Sequence, residues 1–428
     1  MATTYLTRTA TANNNSVGKW TFSCWIKRHK LGVETNIISF YSTGSYRSAL
    51  RFDSDDKVRF YEVWNGSTIV AKVTNRLFRD TNAWYHLVLA VDKTVSSPST
   101  QIYVNGEAIT SWSTDSDYTQ NESGKFNDAE PIYINAESSV NGGTNVQDIS
   151  MSHVHFVDGT TYAASDFGST DSTTGEWKIN TSPTVTYGTN GFFILKDGNS
   201  VTDQSGNSNN FTVAAGTLTN TEDCPSNVFA TMSPLHKGSN VALTNGNLTC
   251  TGSGSNASVA STLAVSTGKW YWEAKLNSST NNYFNVGILK SDVRIDNLAF
   301  PGDVADGYVY AVDGNIYRSG SSLLSTGTTL SVGNIVGFLL DLDNGTLKLK
   351  VNGSDVYSGN AVVSSLNTGD FWYVAQGANP SSVDINFGNG YFGTTAISSE
   401  GTNASGIGKF EYDVPTGYTA LSTKGLNE

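Results

Sequence analysis

The sequence predicts an all-β protein: two antiparallel β-sandwiches of jelly-roll type in tandem. Three observations carry this. Asn-Gly pairs at 65–66, 105–106, 344–345 and 352–353 each separate runs that alternate apolar and polar residues, the strongest short signal for a tight hairpin. Glycine is abundant at 42 and proline scarce at 8, with Asn, Ser and Thr crowding the gaps between apolar runs, as short strands and many turns require. At 428 residues, 38% apolar and 15% charged, the chain is too long for one ordinary core and too apolar for disorder, so two or three domains are expected.

Taken in order, KWTFSCWIK (19–27) alternates Trp20, Phe22 and Cys24 against Thr21, Ser23 and Trp25, an early sheet strand. Asn36 to Phe40 and Ala49 to Phe52 continue it. Asp53-Ser54-Asp55-Asp56 turns the chain into Val58 to Trp64, and Asn65-Gly66 returns it into Thr68 to Val73. WYHLVLAV (84–91) is almost continuously apolar and therefore central. Gln101 to Thr110 folds on Asn105-Gly106, and Pro131 to Asn135 and Ile149 to Val157 complete the first sheet pair. Phe192 to Leu195 leads through the polar turn Asp203 to Asn207 into Phe211 to Val213. Pro225 and Pro234 bracket an extended piece, Gly238 to Gly254 is Ser/Asn/Gly-rich, and a boundary is expected near residue 230, giving domains 1–230 and 231–428.

The second domain opens with KWYWEAKL (269–276), alternating Trp270, Trp272 and Ala274 against Tyr271, Glu273 and Lys275. Tyr283 to Leu289, Gly307 to Val312, FWYVAQG (371–377) and VDINFGN (383–389) follow. Between them, VGFLLDLDNGTLKLKVNG folds about Asn344-Gly345. A two-residue turn there sets Leu342 opposite Leu347, Leu340 opposite Leu349 and Phe338 opposite Val351, with Asp341 against Lys348 on the other face.

Charge and cysteines narrow the function. The net charge is −12 with no Lys/Arg cluster, so nucleic acid is not an expected partner. Cys24, Cys224 and Cys250 are odd in number and far apart, giving no disulfide framework or zinc spacing; they read as small buried thiols of a protein that folds in a reducing cytoplasm. MATTYLTRTA lacks the charged start and apolar core of a signal peptide, and no run of about 18 apolar residues could span a bilayer. The expectation is a soluble protein without membrane insertion.

Family resemblances sharpen this. W-x-F-x-x-W, WYHLVLAVD and IYVNG resemble the laminin-G/concanavalin-like jelly roll. VHFVDGTTYAASDFGSTDSTTGEWK (154–178), YGTNGFFILKDGNSVTDQSGNSNNFTV (187–213) and TNTEDCPSNVFATMSP (219–234) resemble a connector that follows such jelly rolls in bacteriophage virion proteins. WYWE, VGI, GFLLDLDNGTLKLKVNG and VDINFG, across roughly 245–390, resemble the SPRY/B30.2 module. The tail FEYDVPTGYTALST (410–423) is similar to the terminus of the same phage proteins.

Each candidate for chemistry has a plainer reading. A glycosidase on this jelly roll needs two carboxylates across the scissile bond, and no Glu-x-Asp-x-x-Glu run occurs; Glu411-Tyr412-Asp413 is the nearest. His153 and His155 lie at i, i+2 with Asp158 beyond, a partial metal set that reads better as hydrogen-bonded histidines. Asp53/Asp55/Asp56, Asp341/Asp343 and Asp303/Asp306 could hold a structural Ca²⁺, the minority reading, and otherwise no cofactor or metal is expected. Trp64 and Asn65 at a hairpin tip, with Trp112 and Tyr118 in the polar ITSWSTDSDY stretch, are the residue types on which sugars stack, although such rings also cover loop bases. In the second domain, the SPRY resemblance makes Arg294, Phe300 and Tyr317 loop residues of a glycan or partner surface.

Together these features imply a non-enzymatic structural protein of a tailed bacteriophage. It would be a tail fibre, spike or capsid-surface knob, assembled in the host cytoplasm and carried on the virion. Its expected partners are other virion proteins, a host cell-surface glycan and further copies of itself in a homo-oligomer. The alternatives are a decoration protein whose loops grip neighbouring virion subunits, and, less favoured, a polysaccharide-degrading enzyme.

Overall fold

The computed structural model describes residues 4–12, 18–138, 143–196, 200–279, 284–377 and 380–427. Two compact units divide between Asn220 and Thr221, ahead of the boundary expected near residue 230. The reason is pairing. Ala230 donates its N–H to the Leu421 carbonyl and Phe229 bridges Ser422, so the residues before 230 belong with the C-terminal tail. Among the described residues there is no α-helix, only 3-10 turns, and no helix is long and apolar enough to cross a membrane.

In the first unit one sheet runs Trp112–Ser116, Ser67–Leu77, Lys57–Trp64, Tyr46–Phe52, Thr35–Thr43, Pro131–Ile134, Tyr5–Thr9, Thr212–Ala215. The other runs Phe192–Ile194, Ile149–Asp158, Lys19–Arg28, Trp84–Asp92, Ser99–Val104, Glu107–Ala108, so the WYHLVLAV strand is interior as expected. Phe22, Cys24, Leu87 and Leu89 of the second sheet face Ile38, Phe40, Leu50 and Phe60 of the first in one core. Thr21, Ser23 and Trp25 point the other way yet are also buried, because the 154–187 connector lies over that face with Phe167, Trp177 and Tyr187.

The second unit repeats the plan. Met232–Lys237, Ser258–Val265, Trp372–Gly377, Asn285–Lys290, Gly307–Ala311, Asn315–Arg318 and Ser321–Ser325 form one sheet. The other is built on Val241–Thr244, Thr249–Gly252, Ser381–Asn386, Lys269–Ser279, Ile335–Asp341, Thr346–Val351 and Ser354–Asp355. Trp270, Trp272 and Ala274 enter the core, where Trp272 stacks on Phe338 with ring centroids 5.1 Å apart. Tyr271 and Glu273 are covered by the tail through Phe410 and Val414. The strand expected from Tyr283 begins at Asn285, and Tyr283 lies outside the described residues.

Several expectations need correction. The Gly238 to Gly254 connector contains a hairpin, turned by Asn245, Gly246 and Asn247, all at positive φ, that buries Val241, Leu248 and Cys250. The ITSWSTDSDY stretch is not all loop: Trp112–Ser116 is an edge strand. Cys24 and Cys250 are buried, but Cys224 is only half-buried, beside the Ser226 hydroxyl. The largest correction is the register at Asn344-Gly345. Leu340 faces Leu347, Phe338 faces Leu349 and Val336 faces Val351, two residues away from the expected pairing. Asp341 accepts hydrogen bonds from the Asn344 amide (3.0 Å) and side chain (2.8 Å), closing a four-residue loop. A two-residue turn would need positive φ at both positions; Gly345 has it and Asn344 does not. Because the shift is even, every apolar residue keeps its face. Asp341 therefore pairs with Lys269 at 3.2 Å rather than with Lys348.

Candidate functional site

The residues singled out in the first unit fall into three different environments. Around the Asp53–Asp56 turn, Phe52 faces Val58 and Arg47 faces Val63, which brings Tyr46 alongside Trp64. Their rings meet edge to face at 5.3 Å, and the Tyr46 hydroxyl donates to Asn65 Oδ1 at 3.2 Å. Lys125 Nζ lies 5.5 Å from the Trp64 ring and 5.7 Å from Tyr46, and it also pairs with Asp128 (3.1 Å) and Glu130. Trp64, Tyr46 and Lys125 are half-buried and Asn65 is exposed. The result is an aromatic step at a hairpin tip, flanked by a cation, two acids and an amide.

Trp112 does not join it. It pairs opposite Thr74, whose neighbour Val73 faces Arg59, well along the sheet from the Trp64 tip. Lys72 Nζ lies 5.4 Å from its ring and is held by Asp115 and by Asp117 at 2.6 Å. Tyr118 is a correction. It is 3% exposed, and its hydroxyl donates to Glu62 Oε2 at 2.5 Å. Glu62 also accepts the Lys125 and Phe126 amides. Burial raises the Glu62 carboxyl, opposed by Tyr118, Lys93 and these amides, and raises the Tyr118 phenol further still. Tyr118 is thus a core strut beneath the Trp64 loop, out of reach of a ligand.

In the second unit, Arg294 is exposed and makes a two-pronged bond to Asp296 at 2.7 and 2.8 Å. Phe300 opens the Pro301–Asp303 turn, its amide capped by Asp303 at 3.2 Å. Tyr317 donates to Asp313 at 2.7 Å. Gly302 lies close under Tyr317, where an added Cβ would come within 3.2 Å of the Tyr317 Cβ, so this turn links Phe300 to Tyr317. These bonds are local: each joins residues within four positions of one another.

Most of the acidic candidates, and both histidines, are engaged within the protein. Asp56 binds Arg28 (3.1 Å), Arg79 (3.0 Å) and the Gly32 amide (2.8 Å). Burial alone would raise its carboxyl, but these donors outweigh that and hold it below the ordinary carboxylate value. Asp53 binds Arg51 and Asp55 binds Lys57. Asp341 binds Lys269, and Asp303 caps Phe300. Glu411 caps Ser398 and Asp413 caps Thr402. A β-bulge interrupts the pairing at Ser152–His155, yet the two histidine rings stay together as expected, with centroids 6.5 Å apart and both against Phe193. His153 meets Ser152, while His155 meets Tyr187 (2.9 Å) and stacks on Phe193, with burial holding its imidazole far below 6.5. Among the described residues no group of three His, Cys, Asp or Glu is placed to hold a metal ion.

His86 shows how the connector is seated. Its ring stacks on Trp25 at 5.0 Å and lies nearly parallel to Trp177, with centroids 5.9 Å apart. Trp177 Nε1–H donates to Nδ1 at 3.0 Å, which assigns the remaining proton to Nε2, facing Ser23 Oγ at 2.9 Å. Burial lowers this imidazole to about 3, so it stays neutral.

The fold defines two β-sandwich modules in tandem. Residues 2–144 match the concanavalin A-like lectin/glucanases superfamily through its laminin-G model. Residues 269–390 match the SPRY domain. The chain thus carries a concanavalin-like domain followed by a SPRY domain. Among solved structures, the SPRY domain of human HERC1 is 18% identical, covering 36% of this chain and 96% of its own, with a TM-score of 0.31. The TRIM65 PSpry domain is 14% identical over 37% and 91%, TM-score 0.30. A human SPRY domain is 16% identical over 34% and 94%, TM-score 0.27. No curated protein matches the chain.

Tyr46 and Lys125 were missed from sequence. Tyr46 was reachable, because extending the register about the Asp53–Asp56 turn places it opposite Trp64. Lys125 was not, since it arrives on an irregular segment with no periodicity.

Proposed function

We propose that this chain is a non-enzymatic structural protein of a tailed bacteriophage particle, a tail fibre, spike or surface knob that adheres to host-surface glycan. The observation that carries the reading is the Tyr46–Trp64–Asn65 step on a concanavalin-like domain. A sugar ring could stack its C–H face on such a step while Asn65 and Glu130 meet its hydroxyls. The phage-type connector of residues 154–234 supports the virion setting. A half-exposed step of this size binds weakly, and a homo-oligomer would multiply it.

A glycan array with the purified chain tests this, alongside Trp64→Ala. Binding to a defined glycan, weakened about tenfold or more by Trp64→Ala with folding intact, is the expected result. Absence of any glycan binding, with Trp64 buried against a neighbour in a map of the particle, would favour a decoration protein instead. Loss of glycan mass during incubation would turn the reading toward an enzyme.

A further inference from the structure

A second site is suggested at the opposite, terminal edge of the first unit's larger sheet, where Tyr5–Thr9 pairs with Thr212–Ala215. A groove of about 440 Å³ is lined there by Arg8 with Thr7, Thr9, Thr11, Asn209 and Asn210 among its neighbours. The lining is hydroxyls and amides with one cation. Arg8 is 9% exposed. The groups it touches are neutral: the Asn190 carbonyl at 3.3 Å, Asn209 Oδ1 at 2.5 Å and the Phe211 ring.

Arg28, Arg51, Lys72 and Lys125 of the same unit are each matched to carboxylates. Lys93, like Arg8, is buried against a backbone carbonyl and an aromatic ring, but it does not line this groove, and the whole chain is acidic at −12. Among the described residues no carboxylate forms an ion pair with Arg8. Asp203 acts on it through space, but Asp203 is occupied by the amides of Phe193, Ser205 and Asn209 and by the Ser205 hydroxyl. Asp203 therefore offsets the charge only in part: a buried cation with no carboxylate bonded to it is costly, and burial outweighs Asp203 and pulls the Arg8 guanidinium down from its ordinary value. Two of its five N–H groups are used by these partners, and the side chain lines the groove.

We infer that this groove binds the carboxylate of an acidic sugar, with Arg8 meeting the anion and the Thr and Asn side chains meeting the hydroxyls. Guanidinium recognises carboxylate in a directed, charge-assisted way, and the hydroxyl lining matches a polyol better than a bare ion. The inference rests on the glycan-adhesion reading only for the choice of a sugar as carrier of the acid. None of its residues belongs to the Trp64 step.

The test is NMR titration of the whole chain with a mannuronate tetrasaccharide, with neutral cellotetraose, and with inorganic sulfate. The expected result is shifts at residues 7–12 and 208–212 with the uronate alone, weakened by added salt. Arg8→Gln and Thr9→Glu should each lower that affinity about tenfold. Thr9 is exposed, so Thr9→Glu keeps the test decisive if Arg8→Gln fails to fold. Equal binding of cellotetraose, no shift at the groove, or affinity unchanged in Thr9→Glu would overturn the inference. Sulfate binding as tightly as the uronate would overturn its sugar part. Trp64→Ala separates the two sites: it should leave the uronate shifts intact, so the adhesion reading can fail while the groove stands, and the reverse.

Discussion

Glu62 and Glu273 are each fully buried in mid-strand, and each is held by amides from a distant segment and by a tyrosine hydroxyl. Burial raises Glu273 to about 7 from an ordinary 4.5, against four donors that pull it down. The sign follows from linkage. Below 4.5 both folded and unfolded chains are protonated; between 4.5 and 7 only the unfolded chain releases its proton, so stability is lost across that window. The loss should reach about 3 kcal/mol. Urea denaturation of the second unit should show it as a pH-dependent difference from Glu273→Gln. A flat difference would refute it. Tyr118→Phe should destabilise the first unit by about 1–3 kcal/mol, because Glu62 loses a donor while remaining buried. Glycan binding should be unchanged, since Tyr118 carries no ligand contact.

Turns set the elements. Asn65-Gly66, Asn105-Gly106 and Asn352-Gly353 have both residues at positive φ and close two-residue turns. Their surroundings differ. An added Cβ at Gly66 meets nothing within 4 Å, whereas at Gly106 it would lie 2.4 Å from the Trp177 ring. Gly66→Ala should therefore cost only the backbone strain, about 1–2 kcal/mol. Gly106→Ala should cost clearly more, because it also displaces the connector tryptophan that seats His86. Thermal melts of the two variants give the comparison, and equal losses would show that Trp177 packs there without consequence. The sequence alone made the three turns look alike.

At the scale of the whole molecule, each unit has its own two-sheet core, so residues 1–220 and 221–428 should each fold as separate fragments. A fragment starting at 231 should be several kcal/mol less stable than one starting at 221, since it lacks Phe229, which is 1% exposed and packs with Tyr271 and Phe410. Circular dichroism melts of the two fragments would decide it. The strands, their inward faces and the tandem sandwich plan could be read from residue order, because alternation and turn chemistry are local properties of the chain. Leu342, Leu340 and Phe338 kept their expected face even where the register moved. Loop length at Asp341, the burial of Tyr118, the Tyr46–Trp64–Lys125 step and the Arg8 groove could not be read so. Each depends on which distant segment arrives beside a residue, and only the folded chain fixes that.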